Sequence, residues 1–139
     1  MKLKLMGPFI KFITGGWAAA ITLLPFGIYF KKQIYLDNLY IVNHEKIHWA
    51  QQTEMLIAGA IMSLISIILM IIFGWSLWWL LLYIPFPFLF FYIEYILEWV
   101  LKLFTYDNLS TEREANAHEN DLNYLKTRKP FAWLKYIFK

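Results

Sequence analysis

The chain has 139 residues, of which 60% are hydrophobic, 20% are aromatic and only 17% are charged. This composition excludes a disordered chain and disfavours an ordinary soluble globule, which needs a more polar surface. The absence of cysteine excludes disulfides and thiolate metal sites. The formal net charge of +3 is too small to indicate nucleic acid as the main partner. The length indicates a single domain over residues 1–139.

The N-terminal part of the chain is apolar but interrupted. Residues 12–30 carry no charge, yet Gly15 and Gly16 dilute them, and lysines lie on both sides. A further membrane-spanning helix and an interfacial or re-entrant segment both remain open. From Gly27 to Val42 apolar side chains alternate imperfectly around Asp37-Asn38, which predicts a short β-hairpin with its turn at these two residues.

The segment His44-Glu45-Lys46-Ile47-His48 has the pattern His-Glu-x-x-His. On a helix, positions i and i+4 share one face, so both imidazoles can bind one Zn²⁺. Glu45 would then take a proton from a water molecule on the metal instead of binding the metal. Three His and seven Glu give about 0.003 such matches by chance. The alternative is an interfacial helix on which the three side chains align by coincidence.

Met55 to Ile93 is a run of 39 residues without Asp, Glu, Lys or Arg. One membrane helix needs about 20 residues, so the run predicts two transmembrane helices and a turn near Gly74. Pro85 and Pro87 are expected to kink the second arm, and the alternative is a broken arm that does not fully cross the membrane. Basic residues are absent around the turn, and the positive-inside rule therefore places both ends of the hairpin on the cytoplasmic side.

Two pairs of polar residues flank this hairpin. Glu94 and Glu98 share a face at the edge of the second arm, and Glu98 is expected to pair with Lys102 at i+4. The alternatives for Glu98 are a contact with His48 or a metal-ligand role. Gln51 and Gln52 fall on the face of His44 and can either line the site or bind in the headgroup region.

Residues 106–139 are predicted to form cytoplasmic or interfacial helices. Ser110 is a good N-cap for a polar helix over 110–124. Residues 131–138 predict an interfacial helix with Trp133 and Tyr136 at the lipid headgroups, and with Lys135 and the following Lys139 facing out. A zinc site needs a third protein ligand, and this part of the chain offers four candidates. They are Glu112, Glu114, His118 and Glu119.

The His-Glu-x-x-His run with a helical Glu downstream resembles the gluzincin branch of the zincin metallopeptidases, in the style of membrane-embedded CAAX-prenyl-protease-like peptidases and minigluzincins. In that group the third ligand lies in a Glu-x-x-Ala-Asp stretch. The segment Glu114-Ala115-Asn116-Ala117-His118 matches it at Glu114 and Ala117, with His118 in place of Asp. The chain also resembles small bacterial membrane proteins that share Asn-His-Glu-x-x-His, a Gln-Gln pair and a late Glu-Arg-Glu-Ala.

The resemblance implies Zn²⁺ bound by His44, His48 and Glu114, with Glu45 as the general base of peptide hydrolysis. It leaves three roles open for His118, which are to brace a ligand, to bind the metal or to stabilise an oxyanion. Tyr106 and Tyr124 are the other candidates for the oxyanion donor. The hairpin before His44 is expected to hold a peptide substrate by strand addition.

These features predict an all-α integral membrane protein of the bacterial cytoplasmic membrane. A transmembrane helical hairpin would carry a zincin-like helix at the cytoplasmic interface, and the function would be that of a zinc metallopeptidase. Its expected partners are membrane lipids and a peptide or membrane-protein substrate, and a homo-oligomer can complete the cleft of so small a chain. The alternatives are a non-catalytic membrane protein with a vestigial or structural metal site and a metallohydrolase that acts on lipid-linked substrates.

Overall fold

The computed structural model describes residues 1–15 and 18–138, apart from the side chain of Ile13. The predictions that involve Gly16 and Lys139 fall outside these residues. The chain is mostly helical with a small three-stranded sheet, and it divides into two compact units. The first unit combines Met1–Gln51 with Ser110–Lys139, and the second unit is Gln52–Leu109.

The first unit begins with the sheet. Its elements are β1 (Leu3–Leu5), the short helix α1 (Pro8–Ile13), β2 (Ala20–Leu23) and β3 (Gly27–Phe30). The strand order is β1-β3-β2, with β1 parallel and β2 antiparallel to the central β3. Pro8 stands at the start of α1, where its fixed φ favours a first helical turn. Because β3 is the central strand, β2 is an outer strand of the described sheet.

The predicted β-hairpin exists, but its predicted position was wrong. Only Gly27–Phe30 of the segment Gly27–Val42 is a strand, and its hairpin partner is β2, which precedes it. Asp37-Asn38 instead lies between α2 (Gln33–Leu36) and α3 (Leu39–Ile72). The Oδ1 atom of Asn38 accepts the backbone N–H of Tyr40 at 2.9 Å and caps α3. Asn favours turns and helix N-caps for the same reason, so the pattern did not separate the two.

The spanning-helix alternative for residues 12–30 was also wrong, because β2 and β3 occupy much of the segment. Their apolar side chains form a core with α3 that contains Ala20, Ile28, Phe30 and Val42. Gly27 has a φ of +137°, and a Cβ there would lie 2.5 Å from the carbonyl oxygen of Lys2. The strand can start there because glycine tolerates this backbone and leaves room for the neighbouring strand.

The helix α3 has 34 residues and contains both the His-Glu-x-x-His segment and the first arm of the predicted hairpin. At 1.5 Å per residue it is about 51 Å long. It ends in a Schellman motif, in which Trp75 N–H donates to the carbonyl of Met70 and Gly74 N–H donates to that of Ile71. Gly74 adopts a φ of +64°. The turn predicted near Gly74 is thus confirmed.

The second arm of the hairpin is broken, as the two prolines predicted. It consists of a 3-10 helix (Leu77–Trp79), α4 (Leu80–Tyr83) and α5 (Phe86–Leu101), with a bend of 58° across the break. Pro85 lies in this break. Within the described part of the chain, α3 is one helix long and apolar enough to cross a membrane, and the bent pair makes a second only if it counts as one span.

The C-terminal region folds back into the first unit after a 3-10 helix at Tyr106–Asn108. It contains α6 (Ser110–His118), α7 (Tyr124–Thr127) and a 3-10 helix (Ala132–Tyr136). α6 starts at Ser110, where the N-cap was predicted, but it ends at His118 and does not reach 124. After it, Asp121 Oδ1 accepts Asn123 N–H at 3.0 Å in a turn of the kind that competes with helix. Trp133 is not at the surface as predicted. It is only 4% exposed, since its 3-10 helix packs on α6.

Candidate metal centre

Two helices of the first unit bring two imidazoles and a carboxylate together. His44 and His48 lie one turn apart on α3, and Glu112 faces them from α6. Their ligand atoms all lie within 4.8 Å of one another. Glu112 Oε2 is 3.5 Å from His44 Nε2, and Glu112 Oε1 is 3.4 Å from His48 Nε2. The carboxylate therefore bridges the two imidazoles.

Each imidazole is oriented by an acceptor at its Nδ1 atom. Glu119 Oε2 lies 3.0 Å from His44 Nδ1, and Gln51 Oε1 lies 2.8 Å from His48 Nδ1. A carboxylate and an amide oxygen can only accept in these contacts, so both Nδ1 atoms donate. Neutral imidazoles with the proton on Nδ1 carry their lone pairs on Nε2. Both lone pairs thus point into the space that Glu112 faces.

This arrangement requires a positive charge. The Nε2 atoms are 3.0 Å apart, and two facing lone pairs beside a carboxylate repel unless a proton or a metal ion lies between them. Burial would lower the pKa of His48, but the charge and hydrogen bond of Glu112 and the charge of Glu45 raise it to about 9. His48 precedes the uncharged part of α3, which starts at Met55. Two imidazole nitrogens and a carboxylate suit Zn²⁺.

Glu45 is held beside the metal-ligand group by the sheet. It is 7% exposed, and the hydroxyl of Thr22 on β2 donates to its Oε2 at 2.7 Å. Its charge acts on His48. The predicted general base and the outer strand of the sheet are therefore in direct contact.

The structure does not place Glu114, the predicted third ligand, at the imidazoles. Glu114 is fully buried, and Arg128 donates to both of its oxygens, from Nε at 2.8 Å and from Nη2 at 3.1 Å. Tyr124 Oη donates at 2.7 Å, and Gln51 Nε2 donates at 2.9 Å. Burial would raise the pKa of this carboxyl, but the hydrogen bonds from Arg128, Gln51 and Tyr124 lower it. The acidic group beside the two imidazoles is that of Glu112.

The rotation of α6 about its axis determines whether Glu112 or Glu114 faces the two imidazoles. Two positions two residues apart on a helix point in directions about 200° apart, so only one of them can face the imidazoles. The Glu-x-x-Ala-Asp pattern also matches two residues earlier, at Glu112-Arg113-Glu114-Ala115-Asn116, with Asn in the position of Asp. The sequence therefore offers Glu112 as well as Glu114, and local pattern does not select between them.

His118 makes contacts outside the group of His44, His48 and Glu112. Its ring stacks on that of Tyr124 with centroids 3.7 Å apart, and its Nε2 lies 3.0 Å from Tyr136 Oη. Burial and the charge of Lys135 lower its pKa. Burial raises the pKa of the Tyr124 phenol far above its usual value, and so does the Glu114 carboxylate that accepts its hydrogen bond. The oxyanion roles predicted for His118 and Tyr124 remain predictions.

Asn43 is a residue of the site that sequence reasoning missed. It is 4% exposed, and its side-chain amide lies within hydrogen-bond distance of the carbonyls of His118, Glu119 and Asp121 at 3.2, 2.9 and 3.1 Å. The carbonyl of His118 is the last one of α6, and those of Glu119 and Asp121 lie in the turns that follow it. By holding this end, Asn43 brings Glu119 to His44. Its position immediately before His44 was the available signal.

The remaining polar candidates belong to the second unit. Glu98 accepts a hydrogen bond from Lys102 Nζ at 2.8 Å, so the predicted i+4 ion pair is confirmed. Tyr106, Glu94 and Gln52 also lie in this unit.

Comparisons with protein-family models, with curated proteins and with solved structures give no match to this chain. The function is therefore inferred from the contacts of His44, Glu45, His48 and Glu112.

Proposed function

We propose that this chain is a small integral-membrane zinc metallopeptidase. The observation that carries the proposal is the convergence of His44 Nε2, His48 Nε2 and the Glu112 carboxylate within 4.8 Å, with both Nδ1 atoms donating to acceptors. Two His and one Glu are a ligand set of catalytic zinc, which keeps a further position open for water or substrate. A structural zinc site would need a fourth protein ligand.

The residues around the ligands suit hydrolysis. A bound zinc ion would polarise a carbonyl group and lower the pKa of a water molecule. Glu45 is the general base: it accepts the proton of the attacking water and returns it to the leaving amine. Its carboxylate has a fixed direction because Thr22 donates to Oε2 at 2.7 Å. A base held in place before the reaction does not have to be ordered during it.

The sheet supports a peptide as the substrate. An extended peptide can add to the outer strand of a sheet through backbone hydrogen bonds. β2 is the outer strand of the described sheet, and its Thr22 contacts the general base. A peptide aligned along β2 would bring a scissile bond close to Glu45.

The membrane assignment rests on the uncharged part of α3 and on the bent second arm. Ile61, Leu64 and Ile65 are each more than half exposed, and many apolar neighbours are exposed with them. Removing apolar surface from water gains about 25 cal/mol per Å², so an exposed surface of this kind favours lipid over water. Met55 follows His48 by only seven residues in the sequence. The site would therefore lie at headgroup level, on the cytoplasmic side according to the lysine distribution.

The proposal is tested with the zinc-loaded protein in lipid nanodiscs and a library of fluorogenic peptides. We expect cleavage by the native chain and a loss of at least about 100-fold in Glu45→Gln, which keeps its zinc but lacks the base. Glu54→Gln, on the same helix, is the matched control and should cleave normally. Equal cleavage by native protein and Glu45→Gln, or bound zinc without cleavage of any peptide, would contradict it. The second result would favour a structural or vestigial metal site.

A further inference from the structure

We propose that Gln51 is a positioning residue that fixes the tautomer of His48, and that Glu114 and Arg128 hold its amide in the required direction. This proposal rests on the metal site described above. It assigns a task to the fully buried Glu114 carboxylate, which lies away from the imidazoles. None of these three residues would touch the metal ion or the substrate.

The direction of the Gln51 amide is determined by its three contacts. Its Nε2 lies 3.0 Å from the carbonyl oxygen of Thr111 and 2.9 Å from Glu114 Oε2. Both of these atoms are acceptors, so the NH₂ group must face them and a flipped amide would place oxygen against oxygen. The Oε1 atom is thereby directed at His48 Nδ1, at 2.8 Å. Gln51 is fully buried, so water cannot replace these bonds.

The proton of the neutral His48 imidazole must then be on Nδ1. An amide oxygen accepts but cannot donate, so the other tautomer would oppose two lone pairs at 2.8 Å. With the proton on Nδ1, the lone pair of Nε2 points towards His44 and Glu112. Outer hydrogen bonds of this kind fix the ring orientation and the basicity of metal-binding histidines.

Glu114 and Arg128 keep this arrangement from relaxing. Arg128 donates to both carboxylate oxygens, and Tyr124 donates to Oε1. These donors hold Glu114 ionised and leave its Oε2 as an acceptor for Gln51. Because the guanidinium is a rigid fork, the carboxylate plane is fixed with it. The order of contacts is thus Arg128, Glu114, Gln51, His48.

A merely structural role is the rival interpretation, since Gln51 also ties α3 to α6 through Thr111. The two roles differ in what they change. A tie between helices contributes to stability but does not select a tautomer. A positioning residue alters the zinc dissociation constant and the imidazole spectrum in a protein that is still folded.

The test compares two single variants in detergent. Gln51→Met keeps the volume but removes the acceptor, and Gln52→Met is the matched control one position along. Zinc dissociation constants come from competition with a chromophoric chelator. Nitrogen-15 spectra of the imidazoles give the tautomer, in the zinc-bound form and, above pH 9, in the metal-free form.

We expect Gln51→Met to bind zinc about 10–100-fold more weakly and to show both tautomers of His48 in the metal-free form. Gln52→Met should keep the native zinc affinity and the native tautomer of His48. Native affinity with a single Nδ1-protonated tautomer in Gln51→Met would overturn the proposal. If Gln51→Met fails to fold, the spectrum of the metal-free native protein is the remaining test, and a His48 proton found on Nε2 would overturn the proposal. Absence of zinc from the native protein would instead refute the proposed function, while the metal-free spectra still test Gln51.

Discussion

His44 and His48 face each other through their Nε2 atoms at 3.0 Å, while each donates its Nδ1 proton to a separate acceptor. Two histidines whose only task is packing have no reason to present their lone pairs to one another. The nearby Glu112 carboxylate adds negative charge to the same space. The geometry is therefore one that a cation stabilises, and a proton can serve in the metal-free protein.

The first prediction concerns the third ligand. Native protein purified without a His-tag should carry about one zinc per chain by elemental mass spectrometry. Glu112→Gln should lose this zinc because one of three ligands is weakened. Glu114→Gln should still reach full occupancy at saturating zinc, because its carboxylate is bonded to Arg128 and not to the imidazoles. The reverse pattern, with zinc lost only in Glu114→Gln, would return the ligand role to Glu114.

The second prediction is a pH dependence of the metal-free protein. Against the opposing effect of burial, Glu112, with smaller contributions from Glu45 and Gln51, raises the pKa of His48 from 6.5 to about 9. A folded-state pKa above the unfolded value stabilises the fold fully below pH 6.5, and this contribution is lost as the pH rises through 9. The loss is up to about 3 kcal/mol. Denaturant unfolding with a chelator between pH 6 and 10 measures it.

Glu112→Gln is the control for this dependence, since it removes the main group that raises the pKa. Its unfolding free energy should change less over the same range. With zinc present the sign reverses, because the metal competes with the proton and binds more tightly as the pH rises. A native metal-free protein that becomes more stable from pH 6.5 to 9 would show that His48 is not the group that titrates.

Local patterns predicted much of this molecule. The i, i+4 spacing of the two His, the turn at Gly74 and the break at Pro85 each depend on residues within one or two turns, so the sequence suffices for them. The identity of the third acidic residue does not depend on local pattern. It depends on how α6 is rotated about its axis against α3, which the packing of Ile47 and Ala115 decides.

The errors have equally physical sources. Asn38 caps a helix where a hairpin turn was predicted, because the same side-chain oxygen serves in both. Residues 12–30 carry no charge and left a membrane helix open, but Thr22 and Gly27 suit strands that pack on α3. Trp133 was assigned to the lipid headgroups by residue type alone, and its burial comes from tertiary packing.

The third prediction tests the ion pair between Arg128 and Glu114, whose side chains are 4% and 0% exposed. Arg128→Met should lower the free energy of unfolding by about 3–5 kcal/mol, because it leaves a buried carboxylate unpaired. Lys126→Met, an exposed change two residues earlier in α7, should stay within about 0.5 kcal/mol. Adding Glu114→Gln to Arg128→Met should recover part of the loss, as double-mutant analysis measures. Equal effects at 126 and 128 would refute the assigned role.

The fourth prediction concerns the packing of α3 inside the second unit. A Cβ at Gly59 would lie 2.9 Å from Pro87 Cα and 3.1 Å from Phe90 Cβ. Gly59→Val should therefore destabilise the protein in detergent by about 1–3 kcal/mol. Ala60→Val adds volume of the same kind at the next, exposed position and should have little effect. Thermal unfolding in micelles compares the two, and equal stability would mean that α3 and α5 do not pack closely there.

The fifth prediction is the membrane topology. The chain has no cysteine, so single cysteines report their own accessibility without background. Ser76 lies in the exposed turn between the two arms, and Asn123 is exposed in the C-terminal part of the first unit. If α3 crosses the membrane and the second arm returns, a membrane-impermeant maleimide should label Ser76→Cys in intact cells. It should label Asn123→Cys only after permeabilisation, because the basic residues favour the cytoplasm. Labelling of both variants in intact cells would reject a cytoplasmic site, and labelling of both only after permeabilisation would show that the hairpin does not reach the far side.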